Sequence, residues 1–462
     1  MESILPPKRP SVRGRDSGTF SGADARSRRR SVDSRAVTEA SVLIVGAGPT
    51  GLVLALWLTK LGVRVRIVDA AAGPGTTSRA LAVQARTLEF YGQAGLADAV
   101  VEAGRKVENL SFWVEGRRKS RMSIGRIGED LSPYSFALVY PQDAHERLLI
   151  ERLEAAGVAV ERNTRLVAFD QDGSGVRATL RRNGGAEESV AAEWLAGCDG
   201  ASSTVRQELG IGFPGGTYTG QFYVADVEAA GPSVDGDLHI DLEDADFLLM
   251  FPMRGSGSVR LVGVADAGGA GDPTFDEVAP RVLENLRLEV RKVNWFSTYR
   301  VHHRVADRFR AGRAFLLGDA AHIHSPVGGQ GMNTGIGDAV NLAWKLAAVG
   351  GGRAREALLA TYEPERIAFA RRLVATTDRI FSVVTRRGAL ARIVRTRVVP
   401  VAVPWLFRFA PVRRFQFRTI SQIGIEYRRS ALSEGSAGRV HGGDRLPWVR
   451  TGESEDNFAP LA

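Results

Sequence analysis

The spacing of hydrophobic residues changes repeatedly along the chain, and its first changes predict a βαβ unit. The continuous apolar run over residues 41–46 predicts a buried strand, the pattern over 49–61 predicts a helix, and the alternation over 63–69 predicts a second strand. A strand, a helix and a strand in this order are typical of a parallel sheet with helices on its faces.

The middle of the chain, between about residues 105 and 300, mixes helical and strand-like patterns. One helix is predicted over residues 144–156. Short apolar or alternating runs predict strands over residues 158–161, 165–170, 221–228, 238–242, 247–251 and 259–264.

The last part of the chain returns to helices. Residues 314–350 repeat the order strand, glycine-rich turn and helix. Residues 356–432 are predicted to be mostly helical, with breaks at Pro400, Pro404 and Pro411 because proline removes a backbone donor.

Composition is that of an ordinary globular protein. The 462 residues are about three times the length of a usual domain, so more than one core is expected. Hydrophobic residues at 44% and charged residues at 24% exclude a disordered or fibrous chain. The single cysteine, Cys198, excludes an internal disulfide framework and fits a reducing compartment, so a cytoplasmic protein is expected.

The net charge of +9 is distributed unevenly. Residues 1–38 carry +5, residues 366–420 carry +12 and residues 421–462 carry −1, which leaves −7 for residues 39–365. The body of the protein is therefore acidic and lacks the spread of Lys and Arg that binding of a phosphate backbone needs. No nucleic-acid partner is expected.

Two apolar stretches raise the question of a membrane. Residues 42–58 follow a run of three arginines and imitate an export signal, but a glycine-rich turn lies inside the run and no cleavage site follows. Residues 398–407 are flanked by Arg397 and Arg408 and are too short to span a bilayer. Packing of this segment in a C-terminal helix pair is the favoured interpretation, and contact with an anionic membrane surface is the alternative.

The turn after the first predicted strand has the sequence Gly46-x-Gly48-x-x-Gly51. In such a turn the first glycine allows a tight bend, the second lets backbone approach a pyrophosphate, and the third lets the helix pack on the strand. The helix N-terminus then offers free N–H groups to phosphates. Asp69 ends the second strand, where its carboxylate can accept hydrogen bonds from ribose hydroxyls. This motif predicts an adenosine diphosphate site without distinguishing NAD from FAD.

A second motif favours FAD. Residues 314–322 place Asp319 at the exit of a buried strand, and residues 326–334 form a glycine-rich entry to the next helix. A second helix N-terminus is a second site for a polar, partly anionic group, which a simple NAD enzyme does not need. In FAD, the ribityl hydroxyls can be held by Asp319, and the pyrimidine edge of the isoalloxazine ring can face the loop N–H groups.

A third motif is a strand, a turn at Asp199-Gly200 and a helix start rich in Ser and Thr, over residues 194–206. In this order and spacing, the three motifs resemble those of the single-component FAD-dependent aromatic hydroxylases, the group that includes phenol and para-hydroxybenzoate hydroxylases. The similarity extends from residue 41 to about residue 432 and looks closest to enzymes acting on phenols and aromatic polyketides. It includes Ser78-Arg79-Ala80, residues 86–89, Pro141-Gln142 and residues 359–366.

The resemblance implies roles for individual residues. From the adenosine end of FAD to the flavin ring, the implied cofactor-binding residues are Gly46, Gly48, Gly51, Asp69, Arg79, Gln142, Asp319, Gly331, Met332 and Asn333. Asp199 would serve both FAD and the transient nicotinamide donor.

The resemblance also implies the reaction. NADH or NADPH reduces FAD, reduced FAD forms a C4a-hydroperoxide with O2, and the distal oxygen goes to a small aromatic substrate while the protein excludes water. A base near a phenolic hydroxyl would help, but the sequence does not identify one. The residues proposed to line the pocket are Tyr223, His239, Met250, Phe251 and Pro326. Ordinary sheet packing is the alternative for the first four.

The predicted fold class is α/β, with a Rossmann-like FAD-binding domain built on a parallel sheet, interleaved with a β-sheet-rich substrate domain and followed by a C-terminal helical segment. Its predicted parts are a disordered basic leader over 1–38, the FAD-binding domain over 39–110, 137–210 and 302–362, the substrate domain over 111–136 and 211–301, the helical region over 363–432 and an extended tail over 433–462.

Other functions remain open at this point. A flavin halogenase shares the nucleotide fold, but no two of the seven Trp residues form its Trp-x-Trp pair. A flavin reductase and a non-catalytic FAD-bound sensor or scaffold are further alternatives. The pairs His302-His303 and His322-x-His324 lack a carboxylate or thiolate cluster at ligand spacing, so no metal is expected. The sequence predicts no oligomeric state.

Overall fold

In the computed structural model, the first predicted strand lies buried at the centre of a parallel sheet. The structure describes residues 40–75, 80–243, 248–265, 273–325, 328–384, 388–452 and 455–461. The predicted leader over residues 1–38 lies outside these residues, as do Arg79 and Pro326.

The strands are β1 (Ala40–Val45), β2 (Val65–Val68), β3 (Ala82–Val83), β4 (Arg105–Val107), β5 (Asn109–Val114), β6 (Arg117–Ser123), β7 (Ala137–Val139), β8 (Val160–Glu161), β9 (Thr164–Gln171), β10 (Val176–Arg182), β11 (Glu187–Gly197), β12 (Gly215–Ala230), β13 (Leu238–Asp241), β14 (Leu248–Pro252), β15 (Ser258–Ala265), β16 (Glu289–Val305), β17 (Arg310–Ala311), β18 (Ala314–Leu316), β19 (His322–Ile323), β20 (Ser436–Ala437) and β21 (Val440–His441).

The α-helices are α1 (Pro49–Lys60), α2 (Ala85–Gln93), α3 (Ala97–Ala103), α4 (Gln142–Ala155), α5 (Thr204–Glu208), α6 (Phe275–Leu286), α7 (Gly331–Gly350), α8 (Tyr362–Val384), α9 (Ala389–Ile393), α10 (Val399–Leu406) and α11 (Ala410–Ile420). Short 3-10 helices occur at Gly318–Ala320, Glu356–Thr361 and Ala459–Leu461, and a π-helical turn at Val394–Val398 joins α9 to α10.

The first sheet confirms the predicted α/β class. Its strand order is β17-β18-β11-β1-β2-β8, and β9 and β10 extend it as an antiparallel pair beside β11. The strands β18, β11, β1, β2 and β8 run parallel. Buried residues of these strands share one hydrophobic core with α1 and α7. Coverage by helices explains why β1 is a continuous apolar run instead of an alternating one.

The second sheet has the order β19-β16-β12-β15-β14-β13-β5-β6. One face, which we call the α6 face, packs Trp113, Tyr223 and Met250 with hydrophobic residues of α6. The other, the α10 face, packs Phe112 and Phe251 with residues of α10 and of the small sheet β3-β7-β4; its further members include Leu110, Val114, Leu238, Ile240 and Met253. Most strands of the second sheet come from the predicted substrate domain, although β5 begins before residue 111, β16 continues past residue 301 and β19 lies in the predicted FAD-binding domain.

The C-terminal region is helical as expected, with two differences in detail. Pro411 lies in the first turn of α11, where proline is tolerated. Pro400, predicted to be a break, lies where the π-helical turn continues into α10, and the helix runs through it. Pro404, predicted to be a break, lies inside α10. The helix continues there because it is held by packing on the second sheet, through Val399 and Val403. The tail after residue 432 is mostly turns, with the pair β20–β21.

Candidate active site

The three sequence motifs and Asp69 meet at one edge of the first sheet. The last residues of four neighbouring parallel strands are in register: Val45 pairs with Val68 and with Gly197, and Gly197 pairs with Leu316. The chain therefore leaves these strands side by side, into the Gly46 turn, Asp69, the Asp199 turn and the Gly318-Asp319 turn. The carboxyl edge of an open parallel sheet is where such folds bind ligands.

The three glycines of the first turn lie in different structural environments. Gly46 has φ +102°, and a Cβ atom there would lie 2.3 Å from the carbonyl oxygen of Cys198. A Cβ atom on Gly51 would lie 2.0 Å from the carbonyl oxygen of Gly46. A Cβ atom on Gly48 would meet no described atom within 4 Å. The packing of the protein itself requires the first and third glycines, whereas the open side of Gly48 suits a ligand that approaches the backbone.

The N-terminus of α1 beside this turn is positively polarised. Its N-cap residue is Gly48, which has no side chain to cap it, and its first turn contains no acidic residue. Its N–H groups and the helix dipole are therefore available to a phosphate.

Asp69 lies against the glycine turn. Its Oδ2 accepts a hydrogen bond from the amide of Ala47 at 2.6 Å, and its Oδ1 accepts one from the amide of Ala71 at 2.7 Å. Arg162 Nη1 lies 3.6 Å from Asp69 Oδ2, while Arg162 Nη2 is buried without a hydrogen-bond partner among the described residues. A buried guanidinium nitrogen without a protein acceptor suits a ligand that brings its own acceptors.

Sequence reasoning missed Arg162 at this edge. The residue follows β8, which lies beside β2, so its position depends on strand order. No local motif marks it. The only sequence signal is the strand-like run that ends just before it.

Asp319 projects outward from a buried turn. Its neighbours Gly318 and Ala320 are buried, whereas Asp319 is exposed. Asp319 is thus accessible at the edge of the sheet, within the 3-10 turn that follows β18. A carboxylate in this position can accept hydrogen bonds from hydroxyl groups of a ligand.

A buried ionic network lies beneath that turn. Asp338 of α7 accepts hydrogen bonds from the amide of Gly318 at 3.0 Å, His322 Nε2 at 2.7 Å and Arg366 Nε at 2.5 Å. Arg366 also donates to the carbonyl oxygen of Thr334 at 3.1 Å. Burial alone would raise the pKa of Asp338, but Arg366 and His322 outweigh it and lower that pKa below its ordinary value. The network ties the Asp319 turn to α7 and α8.

The loop that enters α7 is held by Asn333. Its Oδ1 accepts hydrogen bonds from the amide of Gln84 at 2.9 Å and from Thr87 Oγ1 at 2.7 Å, and its Nδ2 donates to the carbonyl oxygens of Ala82 and Gly329. The Asn333 side chain thus positions the loop through four contacts with protein. The two preceding residues, predicted to border the flavin ring, are Gly331, which begins α7, and Met332, which packs against the first core.

Asp199 and Gln142 each make hydrogen bonds at the start of a helix. Asp199 Oδ1 accepts from Ser203 Oγ at 2.6 Å and Oδ2 from the amide of Val205 at 3.1 Å, so the carboxylate stabilises the start of α5. Burial raises the pKa of Asp199. Gln142 begins α4, and its Nε2 donates to Glu146 Oε1 at 2.9 Å.

The residues proposed to line the pocket separate onto two faces of the second sheet. Tyr223 and Met250 are buried on the α6 face. His239 is fully buried beside them in the ladder, where its Nδ1 accepts from Trp113 Nε1 at 2.7 Å and its Nε2 contacts Asp235. Phe251 lies on the α10 face. Neighbouring strand residues point to opposite faces, so Met250 and Phe251 cannot share one pocket.

The α10 face is the side adjacent to the loop that enters α7. Leu81 belongs to its cluster, and the residues after Leu81 contact the loop before α7. Gln84 Nε2 donates to the carbonyl oxygen of Gly328 at 3.0 Å, and a Cβ atom on Gly329 would lie 2.7 Å from the Cβ of Ala82. An apolar sheet face therefore adjoins the polar edge built by the three motifs.

Comparison with known proteins agrees with this geometry. Residues 39–377, most of the chain, match a family model described as an FAD binding domain. The chain belongs to this FAD binding domain family. A 6-methylpretetramide 4-monooxygenase from Streptomyces rimosus is 40% identical over 415 residues, which cover 87% of this chain and 73% of that protein.

Two further relatives have related names. A pentachlorophenol 4-monooxygenase from Sphingobium chlorophenolicum is 33% identical over 364 residues, covering 76% of this chain and 66% of the relative. The solved structure of the flavin-dependent monooxygenase PieE, in complex with FAD and substrate, superimposes with a TM-score of 0.75 at 26% identity, covering 91% of this chain and 83% of that chain. This FAD-binding protein is a flavin-dependent monooxygenase of the aromatic hydroxylase type.

The described residues fit FAD. The open side of Gly48, the uncapped start of α1, the buried Arg162 nitrogen and the outward carboxylate of Asp319 form a set of donors and acceptors along one edge. Such a set suits a long ligand with phosphates in the middle and hydroxyl groups on both sides. None of the described helices combines the length and hydropathy needed to cross a bilayer.

Proposed function

We propose that this monooxygenase hydroxylates a phenolic or polyketide-like aromatic small molecule, with NADH or NADPH as the electron donor and O2 as co-substrate. The observation that carries the proposal is the apolar α10 face beside the polar cofactor edge, because a hydroxylating flavin enzyme must hold an apolar ring next to its cofactor. The names of the relatives, which act on 6-methylpretetramide and pentachlorophenol, support an aromatic substrate.

The proposed cofactor-binding residues follow the edge of the first sheet. The adenosine end of FAD would be held by the α1 turn with Asp69 and Arg162, and the ribityl chain by Asp319. The further proposed contacts are Arg79 and Gln142 on the pyrophosphate side, Gly331, Met332 and Asn333 at the flavin ring, Asp199 toward the nicotinamide path, and Pro326 beside the ring. When bound, FAD supplies hydride acceptance from the nicotinamide and activation of O2.

The protein contributes position and exclusion of water. Asn333 and the Asp338 network hold the two loops that border the site, so their donors are preorganised. Phe251 and its neighbours on the α10 face would hold the aromatic ring by apolar contact and keep water away from the reacting atoms.

The test is consumption of NADH and NADPH by the flavin-loaded protein against a panel of phenols and aromatic polyketides. We expect at least one aromatic compound to stimulate oxidation of the nicotinamide and to gain one oxygen atom, and heavy-isotope O2 should place its label in the product. A benzoate and an aliphatic alcohol of similar size serve as controls. Absence of any substrate-stimulated oxidation across the panel would contradict the proposal.

A further inference from the structure

Residues 388–420 form a surface element that we call the C-terminal basic segment; it comprises α9, the π-helical turn, α10 and α11. One side of the segment is anchored to the second sheet. Val399, Val403 and Phe407 pack on the α10 face, and Arg395 Nε donates to the carbonyl oxygen of Leu242 at 3.2 Å. The segment is therefore part of the folded protein.

The opposite side of the same helices is apolar and exposed. Ten of the sixteen exposed large hydrophobic side chains among the described residues lie in this segment: Leu390, Ile393, Val394, Val398, Val401, Trp405, Leu406, Phe409, Phe415 and Ile420. Leu390 is 76% exposed, Val401 70% and Trp405 54%. A surface helix of a globular protein ordinarily carries polar residues on its outer side.

The exposed apolar residues form one stripe. Leu390, Val394, Val398, Val401 and Trp405 follow one another at intervals of three or four positions, which places them on one side of a continuous helix. The π-helical turn shifts the stripe slightly but does not interrupt it. An exposed apolar surface of this extent marks an interaction site.

The charge around the stripe is of one sign. Residues 379–425 contain no Asp or Glu, and Arg397 and Arg408 are exposed beside the stripe. Within the described part of the chain, neither arginine forms an ion pair. Two other arginines of the segment reach carboxylates only at 3.9 Å, Arg392 to Glu243 and Arg414 to Asp130. The segment therefore presents uncompensated positive charge around an apolar stripe.

We infer that the C-terminal basic segment binds the surface of an anionic phospholipid bilayer. A helix that is apolar on one side, with Trp and Phe in the apolar stripe and arginines around it, lies in the headgroup region instead of spanning the membrane. The stripe would enter the boundary between headgroups and acyl chains, while the arginines remain at the phosphates. The inference concerns this surface alone and does not depend on the proposed substrate.

A second copy of the chain fits this surface less well. In a two-fold symmetric contact the same patch faces itself, so the exposed arginines of the two copies would meet without a carboxylate from either segment. Anionic lipid supplies the opposite charge and an apolar layer in one surface. Each arginine near such a surface is worth about a fivefold change in binding.

The experiment uses the full-length, flavin-loaded protein and sedimenting vesicles of phosphatidylcholine alone or of equal parts phosphatidylcholine and phosphatidylglycerol. We expect at least about tenfold more protein to sediment with the anionic vesicles, and added salt to reduce this binding. Failure of the protein to sediment with the anionic vesicles, or equal binding to both compositions, would overturn the inference.

Two sets of variants locate the binding surface. Val401→Asp with Trp405→Asp should reduce sedimentation by about tenfold or more, and Arg397→Gln with Arg408→Gln by about 25-fold, because the arginine contributions multiply. The matched control is Leu446→Asp with Val449→Asp, two similarly exposed apolar residues in the C-terminal tail. It should bind as the unmodified protein does, and flavin content should be equal in all variants.

An equal loss in the tail control would overturn the assignment to this segment. A concentration-dependent oligomer that disappears in the Val401→Asp, Trp405→Asp variant, without vesicle binding by the unmodified protein, would replace the lipid with a second copy. Specific capture of an acidic protein by this surface, again without vesicle binding, would likewise replace the lipid with that partner.

Discussion

The two sheets of this protein differ in how directly their residues reveal a site. In the first sheet, four parallel strands end in register, and Gly46, Asp69, Asp199 and Asp319 each follow the end of a strand within three residues. In the second sheet both faces are apolar, because one packs on α6 and the other on α10. The order of the strands in the first sheet decides which strand ends lie side by side. In the second sheet, the register of each strand decides on which face a residue lies.

This difference explains which parts of the site were predictable. Gly46, Asp69 and Asp319 are marked by strand, turn and helix patterns that can be read locally. Tyr223 and Phe251 lie on equally strand-like runs, and nothing in those runs says which side faces the cofactor loop. Because both faces of the second sheet are apolar, its strands do not alternate between polar and apolar residues. The sequence therefore does not show which face a residue belongs to.

Other residues were unpredictable for another reason. Arg162 reaches the site because β8 pairs with β2. Asp338 lies on the same side of α7 as Asn341 and Lys345, which resembles an ordinary exposed polar side in the sequence, and its partner Arg366 lies on a different helix. Such nonlocal contacts follow from the tertiary fold, so they cannot be read from the sequence alone.

The largest expected effect concerns the buried ionic network beneath the Gly318-Asp319 turn. Asp338→Ala leaves the buried Arg366 guanidinium without its carboxylate, which should lower the free energy of unfolding by about 3–5 kcal/mol. Urea unfolding of the apoprotein measures the loss. The double variant Asp338→Ala, Arg366→Met removes both charges and should recover part of the stability. An equal loss in single and double variants would show that the effect comes from lost packing.

The pH dependence of unfolding gives an independent check on Asp338. Because its pKa is lowered in the folded protein, the stabilisation is present above the ordinary carboxyl pKa and is lost as the pH falls through the folded value. The unmodified protein should therefore lose more stability on acidification than Asp338→Ala does.

The next prediction separates the two faces of the second sheet. Met250→Ala empties a buried position on the α6 face and should lower the free energy of unfolding by about 2–5 kcal/mol, with the KM for an aromatic substrate unchanged. Phe251→Ala, on the α10 face, should raise that KM at a smaller cost in stability. Urea unfolding and nicotinamide oxidation at varied substrate concentration measure the two effects. A changed KM in Met250→Ala alone would reverse the assignment of the faces.

Asp319→Ala should weaken FAD binding by about ten- to a hundredfold, because one charge-assisted hydrogen bond contributes about 1.5–3 kcal/mol. The thermal midpoint of the apoprotein should shift only slightly, since substitutions of exposed residues ordinarily cost little stability. Quenching of flavin fluorescence gives the affinity. Asp170→Ala, an exposed carboxylate on β9 of the same sheet, is the control and should bind FAD normally. Normal FAD affinity in Asp319→Ala would place the ribityl chain elsewhere.

Gly48→Ala should separate cofactor binding from folding. The backbone at Gly48 has φ −78°, and the added Cβ meets no described atom within 4 Å, so the apoprotein should be at least as stable. FAD affinity should fall about tenfold, or about 1.4 kcal/mol, because the methyl group occupies the side that a pyrophosphate would approach. Gly173→Ala also has an open side and should change neither quantity. Unchanged FAD affinity in Gly48→Ala would remove the pyrophosphate from this turn.

The smallest expected free-energy effect concerns Asp199, where structure and proposed function lead to different results. The carboxylate accepts hydrogen bonds at the start of α5, and an Asn side chain can replace only one of them, so Asp199→Asn should lower the free energy of unfolding by about 1 kcal/mol. Ser203→Ala removes the N-cap hydroxyl at a similar cost and keeps the Asp199 carboxylate.

If Asp199 also acts on the nicotinamide path, Asp199→Asn should slow reduction of the bound flavin by NADH or NADPH, while Ser203→Ala should not. Rapid-mixing kinetics under anaerobic conditions measure that step apart from the reaction with O2. Equal reduction rates in the two variants would leave Asp199 as a residue that acts only by holding the turn, because the loss of its charge would then have no consequence beyond the loss of the cap.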